Sequence, residues 1–234
     1  MHRTSTLSSI LLVAAMAMGC ASSQLRETAM QNIATPTTLA EVQQFAVGEW
    51  QSISVELRPA EDRAGTGQVQ PTRLTRHFTF IDSERFVGVI RMYLDDYGKA
   101  PLMEFEFKGH LKWGGPHPIA EGAWAVDYVL DEGFGVTPLS APAAAMLNQA
   151  PVPGLAPFAV GVKQDILGKA FPMFHIAAGQ IVTDYDLIVF RNGMLFMGAK
   201  HVDGTPFDKP DRRPHQLQVP LVRVAPGEAA VASR

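Results

Sequence analysis

The chain has 234 residues, of which 47% are hydrophobic and 18% charged, so it is long and apolar enough to bury a core. Its 20 Lys and Arg against 23 Asp and Glu give a formal net charge of −3, which argues against a nucleic-acid partner, because a phosphate backbone requires a basic surface. The single cysteine, Cys20, excludes an intramolecular disulfide, so stability must come from the core.

The segment before Cys20 has the pattern of a bacterial lipoprotein signal peptide. A basic start at His2-Arg3 precedes an apolar run over residues 7–18 that is too short to span a bilayer, and Gly19 stands directly before Cys20. We expect cleavage after residue 19 and attachment of lipid to the Cys20 sulfur; ordinary cleavage nearby is the alternative. Because Ala21 and not Asp follows, we expect a lipid-anchored cell-envelope protein in the outer membrane, facing the periplasm.

A short helix and a tryptophan are predicted to open the folded domain. Residues 20–37 lack periodicity and read as a tether, after which Thr38 and Glu41 form a capping box for a helix that stops at Gly48. The Gly48-Glu49-Trp50 motif that follows resembles the start of lipocalin-type barrels, in which the tryptophan plugs the closed end and often stacks on an arginine of the last strand. The alternative is a tryptophan that is simply buried.

Further along, runs of alternating apolar and polar residues predict strands. They cover residues 51–57, 74–81, 86–94, 102–113, 123–130, 174–181 and 217–224. In the fourth run Met103, Phe105 and Phe107 are expected to point inward. Residues 58–71 read as a loop, and residues 131–172 as a long excursion with a helix at 143–149 and a turn at 162–169. Since such long connections are uncommon, the excursion is a candidate lid or cover.

The Asn192-Gly193 dipeptide between two apolar runs predicts a type I′ β-hairpin in which Arg191 faces Met194. Both faces of this hairpin are apolar. Leu187, Val189, Met194 and Phe196 share one face, and Ile188, Phe190, Leu195 and Met197 share the other. We therefore expect a hairpin that is covered on both sides, or that has one side facing a cavity and the other facing the excursion.

Eight or nine short strands joined mostly by turns favour an all-β fold, an antiparallel lipocalin-like β-barrel with a short N-terminal helix and a helical or loop excursion. We expect this single domain to span residues 38–224, and residues 225–234 to be a disordered tail.

A specific series of turns, charges and strand residues runs through nearly the whole mature chain. It comprises Gly48-x-Trp50, Glu56-x-Arg58-Pro59, Leu74-Thr75-Arg76, Phe78, Phe80, Tyr93, Asp95, Gly122-Ala123, Asp127, Leu195-Phe196-x-Gly198, Asp203-Gly204, Asp208-Lys209-Pro210, Arg212-Arg213 and Gln218-Val219-Pro220-Leu221-Val222. In this series the chain resembles the adenomatosis polyposis coli down-regulated (APCDD) domain family. The resemblance implies a lipocalin-like barrel whose interior accepts a lipid acyl chain. Animal members dampen Wnt signalling, carry two such domains and several cysteines, and we do not expect their signalling role here.

Apolar side chains of the predicted strands are the candidate lining of a ligand pocket. They are Val55, Leu57, Phe78, Phe80, Ile90, Met92, Met103, Phe105, Phe107, Tyr128, Phe190 and Phe196. The alternative is that they fill the interior by packing on one another. Similarly, Arg58, Arg76, Arg212 and Arg213 either hold an anionic headgroup at the mouth or are structural, pairing with Glu56 or Asp127 or, for one of the C-terminal pair, lying over Trp50.

No motif of metal, cofactor or covalent chemistry stands out. The histidines lack metal-ligand spacing, and the turns around Asp203, Asp208 and Asp211 account for those carboxylates without a cation. An acid–base pair of Glu106 and His110 is expected on the outer face, away from Phe105. The sequence thus favours binding of an acyl chain or lipid without catalysis, cofactor or metal; the alternatives are a protein–protein interaction module, with no partner indicated, or a weak lipid-acting enzyme.

Overall fold

The structure is a computed structural model that describes residues 35–59 and 71–225. The predicted leader, the predicted lipidation site Cys20, nearly all of the predicted tether, most of the loop at 58–71 and the tail from residue 226 lie outside the described residues. Within the described ranges, no helix has the length and apolar character needed to cross a membrane.

Antiparallel strands are the main regular structure of the described chain, which confirms the β-rich part of the all-β prediction. The described ranges hold two α-helices, α1 (Leu39–Ala46) and α2 (Ala141–Asn148), and 3-10 turns at Pro172–Phe174 and Pro210–Arg212. The strands are β1 (Gly48–Ser52), β2 (Glu56–Pro59), β3 (Pro71–Phe80), β4 (Arg85–Tyr93), β5 (Pro101–Pro116), β6 (Trp124–Pro138), β7 (Gln164–Asp165), β8 (Val182–Arg191), β9 (Met194–Met197) and β10 (Leu221–Arg223).

The hydrogen-bonded order of the strands closes on itself. It runs β1-β10-β9-β8-β6-β5-β4-β3, and β3 pairs again with β1, so eight strands form a ring. Trp50 of β1 lies opposite Arg223 of β10 on one side and Phe78 of β3 on the other. The two remaining strands extend this ring locally, since β2 pairs with β3 and β7 pairs with β6. The ring therefore has an inner face, and every second side chain along a strand points toward it.

The predicted capping box and tryptophan contacts are both present. The Thr38 hydroxyl accepts from the Glu41 N–H, and a Glu41 carboxylate oxygen accepts from the Thr38 N–H in return. Trp50 is fully buried, and its indole N–H donates to the Ala46 carbonyl at 2.7 Å at the end of α1. The guanidinium of Arg223 lies 4.4 Å above the Trp50 ring, so an arginine of the last strand stacks on Trp50 as expected, but it is Arg223 and neither Arg212 nor Arg213.

For the first strand, the sequence pattern predicted the wrong residues on the inner face. A bend at residues 53–55 separates β1 from β2 and resets the alternation, so that Glu56 is 3% exposed whereas Leu57 is 64% exposed and Ile53 is 59% exposed. The reason is an ion pair: Glu56 is drawn inward by Arg76 on β3. In contrast, the inward prediction for Met103 and Phe105 on β5 is confirmed, as both are nearly fully buried.

The chain after β6 also differs from the prediction. Strand β6 continues to Pro138, so the excursion begins only at Leu139. Residues 174–181 were predicted as a strand, but they contain the end of a 3-10 turn and His175 in the left-handed region at φ 56°. The excursion packs on β5 and β6 through Phe174, whose ring centroid is 5.1 Å from that of Phe105. The predicted last strand is short, limited to β10.

The predicted hairpin is confirmed in register and in burial. Asn192 and Gly193 both have positive φ, at 51° and 73°, as a type I′ turn requires, and Arg191 pairs with Met194. Leu187 and Ile188, on opposite faces of β8, are each 0% exposed. The hairpin is therefore covered on both sides.

Candidate functional site

A cavity of about 60 Å³ lies inside the ring and combines an apolar wall with a charged one. Strands β3 to β6 contribute aromatic and aliphatic side chains to it. Strands β2, β3 and β8 and the loop between β9 and β10 contribute charged and polar ones. The lining residues are Arg58, Arg76, Phe78, Phe86, Ile90, Phe107, Tyr128, Leu130, Asp184, Asp186, Met197, Phe207 and Gln218.

Arg76 and Glu56 form a buried ion pair at the charged wall. Their side chains are 1% and 2% exposed, and Arg76 Nε donates to both carboxylate oxygens of Glu56 at 3.0 and 3.2 Å. The remaining nitrogens of Arg76 donate to the Val219 carbonyl at 2.6 Å and contact the Met197 sulfur at 3.4 Å. The Ser52 hydroxyl also donates to Glu56 at 2.6 Å. Arg76 is thus fully engaged by the protein.

Arg58 has unused hydrogen-bonding capacity at the same wall. Its Nε lies 3.7 Å from a Glu56 oxygen, beyond hydrogen-bonding distance, and this buried nitrogen has no partner among the described residues, although Nη2 donates to Gln218. Burial, and next the charge of Arg76, lowers the pKa of Arg58 to about 10. The guanidinium therefore remains charged at neutral pH.

Asp186 places a carboxyl group inside the ring. It is 5% exposed, and its Oδ1 accepts from the Leu187 N–H at 2.7 Å and the Gly198 N–H at 2.8 Å. Burial raises the pKa of Asp186 to about 7, although these two hydrogen bonds act in the opposite direction. Gly198 is needed for this contact, because a Cβ there would lie 2.1 Å from Pro214 and 2.5 Å from Asp186 Oδ1.

Tyr128 presents a hydroxyl group for which the described residues offer no partner. The residue is 3% exposed, its hydroxyl oxygen is buried, and its ring packs edge-on against Phe86 at a centroid distance of 4.9 Å. Burial raises the pKa of Tyr128 well above its usual value, so the hydroxyl is protonated and can donate. Asp184 lies directly opposite Tyr128 in the β6–β8 register and is exposed.

The loop between β9 and β10 borders the cavity. Phe207 and Gln218 from this loop contribute to the lining, and the Phe207 carbonyl accepts from the Tyr185 N–H at 2.8 Å. Arg213 of the same loop is structural, since it donates to Asp127 at 2.7 Å and lies over the Tyr185 ring. Arg212 instead pairs with Asp208 of its own loop.

The structure brings together only part of the predicted pocket. Phe78, Ile90, Phe107 and Tyr128 line the cavity. Phe80, Met92, Met103, Phe105 and Phe190 pack in or against the same hydrophobic core without lining the cavity.

Three predicted pocket residues do not belong to this group. Val55 lies in the bend between β1 and β2, and Leu57 is 64% exposed because Glu56 takes the inward position. Phe196 pairs with Val189, whereas Phe190 pairs with Leu195, so Phe196 and Phe190 are on opposite faces of the hairpin. The prediction that Phe190 and Phe196 line the same pocket is therefore wrong.

Sequence reasoning missed the acidic part of the site. Asp184 and Asp186 stand two residues apart in β8, so they share a face with Ile188. A signal for this site was available in the sequence: two carboxylates at this spacing lie on the same strand face as the apolar residues at the end of the strand. By contrast, the outward placement of Glu106 and His110 is confirmed: Glu106 pairs with Lys108 and His110 with Asp131 on the outer face.

In the described ranges, no three His, Cys, Asp or Glu side chains lie close enough to bind a metal ion together. No protein-family model matches the chain. The chemistry of the cavity is therefore the basis for a functional argument: it offers hydrogen-bond donors at Arg58 and Tyr128, an acid at Asp186, and an aromatic wall.

Proposed function

We propose that this protein is a lipid-anchored cell-envelope protein that binds a hydrophobic ligand, an acyl chain or another lipid, inside a lipocalin-like β-barrel and catalyses no reaction. Membership of the APCDD domain family is part of the same proposal. The closed order of eight strands and the stacking of Arg223 on Trp50 support the barrel. Lipidation of Cys20, which would tether the barrel to the outer membrane, is supported by the sequence pattern alone.

The observation that carries the binding proposal is a cavity with unsatisfied polar groups in an otherwise packed interior. The Tyr128 hydroxyl and Arg58 Nε are buried without a hydrogen-bond partner among the described residues. Each such group costs about 1–3 kcal/mol. A core that served stability alone would be filled by apolar side chains, whereas a site for a guest must keep these groups available.

Ligand entry requires side chains to move, because about 60 Å³ is well below the ~300–1,000 Å³ of typical small-molecule pockets. Met197 and Gln218, both unbranched, line the cavity and can change rotamer to enlarge it. Burial of ~12 methylenes would contribute roughly 10 kcal/mol. Since association costs about 4–15 kcal/mol, the expected affinity is weak to moderate, which suits a carrier that releases its cargo.

A cavity-filling substitution tests this proposal. Ile90 lines the cavity, whereas Val89, its neighbour on β4, has the opposite orientation. In the mature chain expressed without its leader, and therefore not lipidated, Ile90→Phe should abolish binding of an uncharged fluorescent fatty alcohol. The matched Val89→Phe variant should bind like the wild type. Equal binding by the wild type and a folded Ile90→Phe variant would exclude the cavity as the ligand site.

A second candidate function, acid–base catalysis on a lipid, is favoured by one observation, the pKa of about 7 for buried Asp186 beside a cavity. Incubation of the mature chain with glycerolipid esters, followed by mass spectrometry of the products, tests it. Turnover that disappears in Asp186→Asn would support catalysis, and unchanged lipids would count against it.

A further inference from the structure

The charged wall of the cavity combines donors and an acceptor within one small space. Tyr128 and Arg58 each offer an N–H or O–H that has no partner among residues 35–59 and 71–225. Asp186 offers a carboxyl group whose two backbone hydrogen bonds both go to Oδ1. A ligand group that satisfies all three side chains must accept hydrogen bonds from Tyr128 and Arg58 and donate one to Asp186.

The charges around the cavity select against an ionised ligand group. Arg58 interacts electrostatically with Arg76, Glu56, Asp184 and Asp186, so positive and negative side chains already face one another. An added anion would lie near two aspartates, and an added cation near two arginines. Outside this set, Lys200 and Asp208 act on Asp184 with opposite effects. A neutral group avoids both repulsion and the cost of burying a further charge.

From these contacts we propose that the cavity binds the polar group of an uncharged amphiphile, a group that both donates and accepts hydrogen bonds, such as the hydroxyl of a medium-chain alcohol. This inference rests on the proposed function and names the ligand class for the same cavity. It differs from the anionic headgroup that was one of the two alternatives for the arginines, because it excludes an ionised carboxylate or phosphate. The apolar body of the ligand lies against the aromatic wall formed by Phe86 and Phe107.

The size of the cavity fits such a group. A volume of about 60 Å³ exceeds the ~10–15 Å³ that one water molecule needs and is well below the ~150 Å³ of an engineered cavity that binds benzene. It is therefore large enough for a small polar group such as a hydroxyl with its first carbon. The remainder of an alkyl chain must then displace lining side chains such as Ile90 or Leu130.

The test compares three ligands of equal chain length on the mature chain expressed without its leader. The ligands 1-octanol, octanoate and octylammonium compete with an uncharged fluorescent fatty alcohol at pH 8, where the last two are ionised. We expect 1-octanol to bind at least about tenfold more tightly than either ion, a difference of ~1.4 kcal/mol. An octanoate affinity equal to or above that of 1-octanol would overturn the proposal.

The variant Tyr128→Phe tests the hydrogen bond itself. It should weaken 1-octanol binding about threefold to tenfold, the usual contribution of one hydrogen bond, and leave octylammonium unchanged. Because it removes a buried hydroxyl without a partner among the described residues, its thermal midpoint should be at or above that of the wild type. Tyr97→Phe is the matched control, since Tyr97 is 82% exposed. A folded Tyr128→Phe variant with unchanged 1-octanol affinity would refute the assignment.

Failure of this inference is distinguishable from failure of the proposed function. If all three ligands compete equally and Ile90→Phe abolishes each of them, the cavity binds apolar chains and the inference about the neutral group is wrong. If none of them binds and the fluorescent fatty alcohol does not bind, both proposals are wrong.

Discussion

Replacement of Asp186 by asparagine should make the protein more stable at neutral pH. The Asp186 carboxyl has a pKa of about 7 in the folded chain, against an ordinary value of 3.8. Each pH unit in this interval costs the folded state about 1.4 kcal/mol, so the ionised carboxylate lowers the free energy of unfolding by about 4 kcal/mol at pH 8. Asparagine keeps an acceptor oxygen for Leu187 and Gly198 and carries no charge.

The direction of the pH dependence follows from proton uptake. Below pH 4 the Asp186 carboxyl is protonated in both states. Between pH 4 and pH 7 only the folded chain retains this proton, so unfolding releases it and stability falls as pH rises. Above pH 7 the group is ionised in both states, and the contribution is constant. In Asp186→Asn this decline should disappear.

Urea unfolding at pH 4, 5.5, 7 and 8 measures the effect on the mature chain expressed without its leader. The free energy of unfolding of Asp186→Asn minus that of the wild type should rise with pH and level off near pH 8. Asp96→Asn is the control, because the Asp96 side chain is 62% exposed; this variant removes only an exposed ion pair with Arg73, and its effect should stay within about 1 kcal/mol. A difference that does not change between pH 4 and pH 8, or a loss of stability at pH 8, would refute the reasoning.

Further predictions concern the buried ion pair, a close backbone contact and the anchor. Glu56→Gln should lower the free energy of unfolding by about 3–5 kcal/mol, because Arg76 then keeps a buried charge without a counter-ion; urea unfolding at pH 7 measures it. Gly198→Ala should cost about 1–3 kcal/mol by the same assay, since its Cβ would overlap Pro214. Cys20→Ala should leave the protein without acyl label after growth with a radioactive fatty acid.

Matched variants separate these effects from nonspecific ones. Glu104→Gln breaks the partly exposed pair with Arg91 and should cost at most about 1 kcal/mol. Gly115→Ala introduces a Cβ with no atom within 4 Å and should be nearly neutral. An equal loss for Glu56→Gln and Glu104→Gln would contradict the special role of the buried pair. Continued acyl labelling of Cys20→Ala would refute the predicted anchor.

Local signals were sufficient for the elements whose structure depends on short-range chemistry. The capping box at Thr38, the turn at Asn192-Gly193 and the alternation in β5 each involve residues that interact within one element or one hairpin. Such patterns can be recognised in the sequence, because a cap, a positive φ or a half-buried strand requires particular residue types. They predicted an antiparallel β fold correctly.

Long-range pairing decided the parts that the sequence pattern did not predict. Leu57 is more apolar than Glu56, yet Glu56 is buried because Arg76 of another strand pairs with it. The site depends in the same way on Asp186, because the pairing of β6 with β8 brings Asp186 and Tyr128 together at the interior. A pattern read along one strand contains no information about the charge that faces it across the ring. The predicted pocket was therefore too apolar.

Native mass spectrometry of the mature chain after exposure to a lipid extract of bacterial envelopes tests ligand binding inside the ring. If the interior of the ring binds a hydrophobic ligand, the wild type and Val89→Phe should each carry one lipid per chain, and Ile90→Phe should carry none. Wild-type protein that remains free of lipid at saturating concentrations, with its fold intact by circular dichroism, would show that the interior of the ring is not a lipid-binding site.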